Sequence, residues 1–390
     1  MWTAGRPASV TGVTSIGDTR WVVPAPVLVG AVVGLAWAAS LRVLMAEFAG
    51  PESTFDWFGT FEGVLLPGLV VGALLGWAAH LAGQAPRWLV AAPLVVVLFT
   101  PSVLVSVFVD GLGGGAIAVP LFGMAGGYAL AGRGPRWARW AAGAVALLPV
   151  PAWLVVASSV GGPLALGTPR GTWLAVLFLS LLAVLAFGCT LPHRAPAELL
   201  TSRRRLVVVG VVCGLAWGAG MRGFMAAAAN MDSPSASAVS WLGTFAIILP
   251  IGAAVGGLLG WAEHLRRTGD PRRLRRTRFA PLLFTVDPAS LVVTLPALAG
   301  GYALSGRGSR RARWAAAGCA LLPVAAFLIA VALLDDIRSL GTPRGSWAAV
   351  LLFSHLAVLT IACVLLQPPS GRDQGVAADR AAAPDQRDAT

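Results

Sequence analysis

The segment AGGYALAGRGPRWARW at residues 125–140 returns nearly unchanged as AGGYALSGRGSRRARW at 299–314, and LGTPRGTW at 166–173 returns as LGTPRGSW at 340–347. Both pairs keep the same spacing, which marks one structural unit copied whole and restricts the chain to architectures built from two like halves. Apolar runs long enough to cross a bilayer surround the motifs. The fold this implies is all-α, a polytopic transmembrane helix bundle with an internal tandem duplication of about six crossings per repeat. With an even number of crossings the repeats run parallel, related by a pseudo-two-fold axis along the membrane normal.

Composition agrees with a bilayer as the solvent. Hydrophobic residues make up 57% of the 390 and charged residues 12%, and mean hydropathy is +0.76, all outside the range of ordinary soluble domains. The net charge of +12 does not point to nucleic acid, because the arginines lie in short clusters between apolar runs, where they orient helices. Every basic residue is arginine, and alanine and glycine are abundant, a bias that points to a GC-rich genome and an actinobacterial source. Cys189, Cys213, Cys319 and Cys363 fall in predicted spans without paired spacing, so they indicate neither disulfides nor a metal site and read as small apolar core residues. The sequence contains no cofactor motif.

Residues 1–20 are polar and read as a disordered cytoplasmic N-terminus. The first repeat covers 21–201 and the second 202–367, and a disordered cytoplasmic tail follows at 368–390. In the first span of each repeat, Gly30 and Gly34 match Gly210 and Gly214, and in the second span Gly68, Gly72 and Gly76 match Gly252, Gly256 and Gly260. Glycines four apart let helix backbones approach closely, so these ridges predict tight packing between the first two helices of each repeat. Arginine-rich turns at 133–139, 192–205, 266–278 and 307–313 place those ends, with both termini, in the cytoplasm of a bacterial plasma membrane.

The repeats differ between their second and fifth spans. The first has a full span at about 88–109, the loop DGLGGG and a shorter span to Leu130, whereas the second makes the same excursion within 279–304. A broken or re-entrant pair of short helices, bent near Asp287 and Pro288, satisfies that constraint; one tilted span with asymmetric topology is the alternative. The TPRG motifs read as parts of outward-facing loops.

Arg42 and Arg222 take the same place in the two repeats, inside the outer end of the first helix. A charge there costs about 2.5–3.5 kcal/mol unless paired or hydrated. Two readings follow. Each arginine reaches the interface and pairs with a loop carboxylate, Asp56 or Glu62 in the first repeat and Asp232 in the second; or both face a symmetric anion-binding cavity whose field Arg170 and Arg344 extend. Asp287 pairs with Arg222, binds a coupling proton, or caps the helix after it. Glu62 and Asp110 occur only in the first repeat. His80 and His264, beside Trp77 and Trp261, read as interfacial anchors, as do Tyr128 and Tyr302, while His355 lies deeper with no partner visible in sequence.

No HExxH, GxSxG or P-loop is present, so nothing points to an enzyme. The pattern W-x-x-x-x-R-x-x-M followed by W-x-G-T-F, at Trp37 to Phe61 and again at Trp217 to Phe245, resembles actinobacterial polytopic integral membrane proteins without an assigned activity. That resemblance implies a source and a class and supplies no mechanism. The first functional expectation is a transporter or permease for a small solute, with an anion among the candidates and the site between the repeats. The alternative is a non-transporting membrane scaffold or partner subunit whose protein partner the sequence does not name.

Overall fold

A computed structural model describes residues 23–50, 53–81, 84–99, 115–160, 164–194, 200, 202–229, 239–286, 291–333 and 340–367. The N-terminal and C-terminal segments, Glu52, Asp110, Asp232, Asp287 and Pro288 lie outside the described residues. Helices carry the described chain: α1 (Ala25–Ala49), α2 (Leu66–His80), α3 (Val96–Phe99), α4 (Gly115–Ala131), α5 (Arg136–Leu147), α6 (Pro149–Val160) and α7 (Pro169–Gly188). They are followed by α8 (Arg203–Ala229), α9 (Leu249–Thr268), α10 (Pro271–Thr277), α11 (Leu291–Leu304), α12 (Arg310–Leu333) and α13 (Pro343–Cys363). A π-helical turn precedes α2 at Phe58–Leu65 and α9 at Trp241–Ile248. Among the described residues, eight helical stretches are long and apolar enough to cross a membrane, which makes this an integral membrane protein.

Three shorter apolar helical stretches are described: Arg87–Phe99, Ile117–Ala131 and Leu291–Leu304. The described start of the span expected at 88–109 is a 3-10 helix, Arg87–Val95, that contains Pro93 and gives way to the single turn α3, and residues 100–109 lie outside the described residues. Proline removes a backbone donor and crowds the preceding turn, which disfavours a regular α-helix there. In the second half the 3-10 helix Ala280–Val286 and the 14-residue α11 occupy the matching stretch. At 1.5 Å per residue α11 is about 21 Å long, short of a hydrocarbon core of about 30 Å.

The glycine ridges sit at backbone contacts. A methyl group on Gly30 would meet the Gly72 carbonyl, and one on Gly34 the Gly68 carbonyl. Gly210 and Gly214 face the Gly256 and Gly252 carbonyls in the same way, and Gly76 and Gly260 lie against the carbonyls of Pro26 and Leu206. α1 therefore rests on α2, and α8 on α9, without intervening side chains.

The centre of the molecule is built from α1, α7, α8 and α13, and two pairs of tryptophans tie it together. Trp37 Nε1 donates to the Leu181 carbonyl (2.8 Å) and Trp217 Nε1 to that of His355 (2.9 Å), each within its own half. Trp173 Nε1 donates to the Ala219 carbonyl (3.1 Å) and Trp347 Nε1 to that of Ala39 (3.3 Å), each across to the other half. Trp173 and Trp347 are 0% and 1% exposed. At the periphery, α5, α6 and α12 present Trp137, Trp140, Val155, Trp314 and Leu322, all well exposed, as a surface suited to lipid. Cys189 and Cys363 are buried, but Cys213 and Cys319 are exposed on helix surfaces rather than in the core, because they occur on the outward stripes of α8 and α12.

Candidate functional site

Both TPRG motifs form helix starts. Thr168 Oγ1 accepts from the Gly171 amide (3.0 Å) and Thr342 Oγ1 from the Gly345 amide (3.1 Å), with Pro169 and Pro343 in the first turn. A hydroxyl at the N-cap and proline just inside are preferred because they satisfy or omit amides that lack an intrahelical partner. The expected outward loop is therefore the first turn of α7 and α13, which places Arg170 beside Glu47 at the end of α1 and Arg344 near the Phe55 ring.

The structure gathers four of the five candidate site residues at this end. Arg42 and Arg222 are 6% and 7% exposed. Arg42 Nη2 donates to the Thr54 carbonyl (2.7 Å), and its guanidinium lies 3.9 Å from the centre of the Phe55 ring. Arg344 approaches the same ring at 5.8 Å, so two like charges share one aromatic ring. Arg222 Nε donates to Thr244 Oγ1 (3.4 Å), and its guanidinium lies 5.8 Å from the Trp173 ring. Arg170 pairs with Glu47 at 2.6 Å. The fifth candidate, Asp287, is outside the described residues.

Neither loop carboxylate expected for Arg42 bonds to it. Asp56 Oδ1 instead accepts from the Gly59 amide (2.5 Å), the place that Ser240 holds for Gly243 in the second half (3.0 Å). Glu62 is exposed and has no ion pair among the described residues. The reason is local: the turn before α2 needs a cap, and Asp56 is held there by a neighbour three residues away. Asp56 still acts on Arg42 through space, as Glu47 does on Arg222.

Glu47 was not among the sequence candidates, although the motif register exposes it. Aligning Trp37, Arg42 and Met45 with Trp217, Arg222 and Met225 sets Glu47 against Ala227. Arg170 and Arg344 are matched by the TPRG motif, so Arg344 lacks the carboxylate that its counterpart has. Arg344 makes no hydrogen bond or ion pair among the described residues, and its buried Nε has no partner. A second asymmetry concerns matched threonines. Thr244 Oγ1 accepts from Arg222, whereas the equally buried Thr60 Oγ1 has no partner.

Deeper in the same core, His355 Nδ1 lies 2.8 Å from the Leu351 carbonyl and Nε2 lies 3.2 Å from Ser40 Oγ. The matching positions carry Leu181 and Gly220. A methyl group on Gly220 would crowd both polar groups, since it would come within 2.5 Å of His355 Nε2 and 2.6 Å of Ser40 Oγ. At the opposite end Tyr128 packs its hydroxyl against Gly134, and Tyr302 packs against Gly308. Both glycines have positive φ (87° and 76°), which explains why the GRG turn and the GGYAL segment recur together. No protein-family model, curated protein or solved structure matches the chain.

Proposed function

We propose that this chain is a bacterial plasma-membrane transporter or permease for a small anionic solute, bound between the halves where Arg42, Arg170, Arg222 and Arg344 converge. The observation that carries the reading is the unmatched Arg344: its counterpart Arg170 has Glu47 at 2.6 Å, and the place equivalent to Glu47 is Ala227. An arginine fork recognises planar oxyanions in two-point fashion, and a solute carboxylate at Ala227 would complete the second half as Glu47 completes the first. The partnerless Thr60 hydroxyl supplies a further polar contact on the same side.

The wider frame of the proposal is a pair of parallel repeats with both termini in the cytoplasm. The similar order of elements in the two halves supports it, as does the concentration of arginines at the end opposite Arg42. In the second half the 3-10 helix Ala280–Val286 and the helix α11 fit a broken or re-entrant segment at 279–304. The motif resemblance to actinobacterial membrane proteins agrees with this source.

The competing reading, a scaffold or partner subunit, draws on the completeness of the central packing, where Trp173 and Trp347 are fully buried and hydrogen-bonded across the halves. A melting screen separates the two. Purified protein is heated with acetate, lactate, succinate, citrate, sulfate or phosphate, and then again as Arg344→Gln. A ligand present at about a hundred times its Kd adds about 2.7 kcal/mol of stability. One carboxylate that raises the wild-type midpoint and leaves Arg344→Gln unchanged supports transport. Equal midpoints in all anions would reject the site and leave the scaffold.

A further inference from the structure

A second basic site lies at the opposite end of the molecule. Helix α10 buries Leu274 (2% exposed) and Thr277 (3%) against the bundle and turns its arginines outward. Between α10, the start of the GRG turn and the end of α13 is a cleft of about 420 Å3. Leu274 and Leu366 form its apolar floor, and Arg275, Arg278, Arg307, the Tyr302 side chain and Gln367 surround it.

The charges around this cleft are unevenly balanced. Arg266 and Arg267 share the Glu263 carboxylate, at 3.6 and 2.7 Å, and Arg273 pairs with Asp270 at 3.4 Å. Among the described residues, Arg275 and Arg278 have no carboxylate partner and no carboxylate lines the cleft. Two such guanidinium groups at one cleft form a site for a phosphate, which accepts several charge-assisted hydrogen bonds at once.

Apolar surface adjoins the charges. Phe279 is 57% exposed next to Arg278, with the ring 5.0 Å from that guanidinium, and Leu304 is 61% exposed on the helix that carries Tyr302. In an integral membrane protein, a basic rim that gives way to exposed apolar side chains matches a molecule with an anionic head and a hydrocarbon body. The first half is built differently at the matching place. Only six residues separate His80 from Arg87, too few for a counterpart of α10. His193 packs there against Tyr128 (5.8 Å), and Arg194 lies 3.8 Å from where a Gly132 side chain would begin.

We infer that the cleft between α10, α11 and the end of α13 binds the phosphate of an anionic phospholipid, with Arg275, Arg278 and Arg307 holding the headgroup and Phe279 and Leu304 contacting the acyl chains. This site is separate from the proposed solute site and does not depend on transport.

The test uses full-length delipidated protein in a neutral detergent, titrated with dioctanoyl phosphatidylglycerol, dioctanoyl phosphatidylcholine or inorganic phosphate, with bound lipid read by native mass spectrometry. Arg275→Gln/Arg278→Gln is compared with Arg273→Gln/Arg276→Gln, which removes the same charge from the same helix, and Phe279→Asn probes the apolar part. All five substituted positions are exposed, and the single variant Arg278→Gln replaces the first double variant if that one aggregates. The proposal expects phosphatidylglycerol to bind more tightly than phosphatidylcholine. It expects affinity to fall about tenfold in Arg275→Gln/Arg278→Gln but not in the charge-matched variant, with Phe279→Asn weakening the lipid and not inorganic phosphate. Equal losses in the two double variants would reduce the cleft to general basic attraction, and inorganic phosphate binding as tightly as phosphatidylglycerol would replace the lipid with a soluble anion. Either result overturns the proposal.

Discussion

Glu47 holds Arg170 at 2.6 Å, and the sequence register that matches Arg170 with Arg344 sets Ala227 in the place of Glu47. At this register position one half carries a carboxylate and the other a methyl group. Several measurements bear on this difference and on the packing that frames it.

Ala227→Glu should supply the missing partner and raise the melting midpoint above that of Ala227→Gln, the isosteric neutral control. A half-buried ion pair of this kind contributes roughly 0.5–1 kcal/mol. The same variant should lose any anion-dependent stabilisation seen in the wild type. A lower midpoint for Ala227→Glu than for Ala227→Gln would mean that the two halves are not matched at this position.

Gly72→Ala places a methyl group against the Gly30 carbonyl and the Gly34 Cα on the facing helix, both of them backbone. Overpacking at such a contact costs about 1–3 kcal/mol. Gly318→Ala is the contrasting case, since nothing lies within 4 Å of its Cβ, and loss of glycine from a helix interior should stabilise by about 0.5–1 kcal/mol. Thermal unfolding in detergent reads both, and the two shifts should have opposite signs.

Trp347→Phe removes the hydrogen bond to the Ala39 carbonyl from a residue only 1% exposed and should cost about 1 kcal/mol or more. Trp140 is 80% exposed, and Trp140→Phe should stay within about 0.5 kcal/mol of the wild type. Equal effects from the two would show that the tryptophan bridge between the halves adds nothing to stability.

His193, in the turn after α7, has its pKa pushed below the ordinary value of 6.5, first by burial and then by the charge of Arg133. The folded protein therefore keeps this ring neutral at pH values where the unfolded chain takes up a proton. Its contribution to stability is complete above the unfolded value and is lost as pH falls through the window below about 6.5. Melting curves between about pH 7.5 and 5.5 should show the wild type losing more than His193→Gln. Parallel curves would remove His193 from the account.

Some of these features are legible in the sequence and others are not, for identifiable reasons. The glycine ridges are legible because close backbone contact tolerates no side chain, so the requirement is written in residue type at helical spacing. Arg42 and Arg222 stand out because a charge within an apolar run is costly. The partner of Arg42 was not legible, since a carbonyl at Thr54 is chosen by the path of the loop and leaves no trace in side-chain chemistry. Asp56 was misassigned for the related reason that a carboxylate serves equally well as a helix cap. The 3-10 start of the stretch from residue 87 is legible only through Pro93, because its apolar composition suits a regular helix equally well. Glu47 was available all along through the motif register, but it takes on significance only once Arg170 and Arg344 are known to begin helices beside it.

The bridge from Trp347 to Ala39 joins residues 308 positions apart, between the first long helix and the last. A ribosome releases α1 into the membrane before α13 exists, so the face of α1 that receives Trp347 waits for a helix made much later. Closure of the centre therefore follows the insertion of α13, and truncation before α13 leaves α1 without that neighbour.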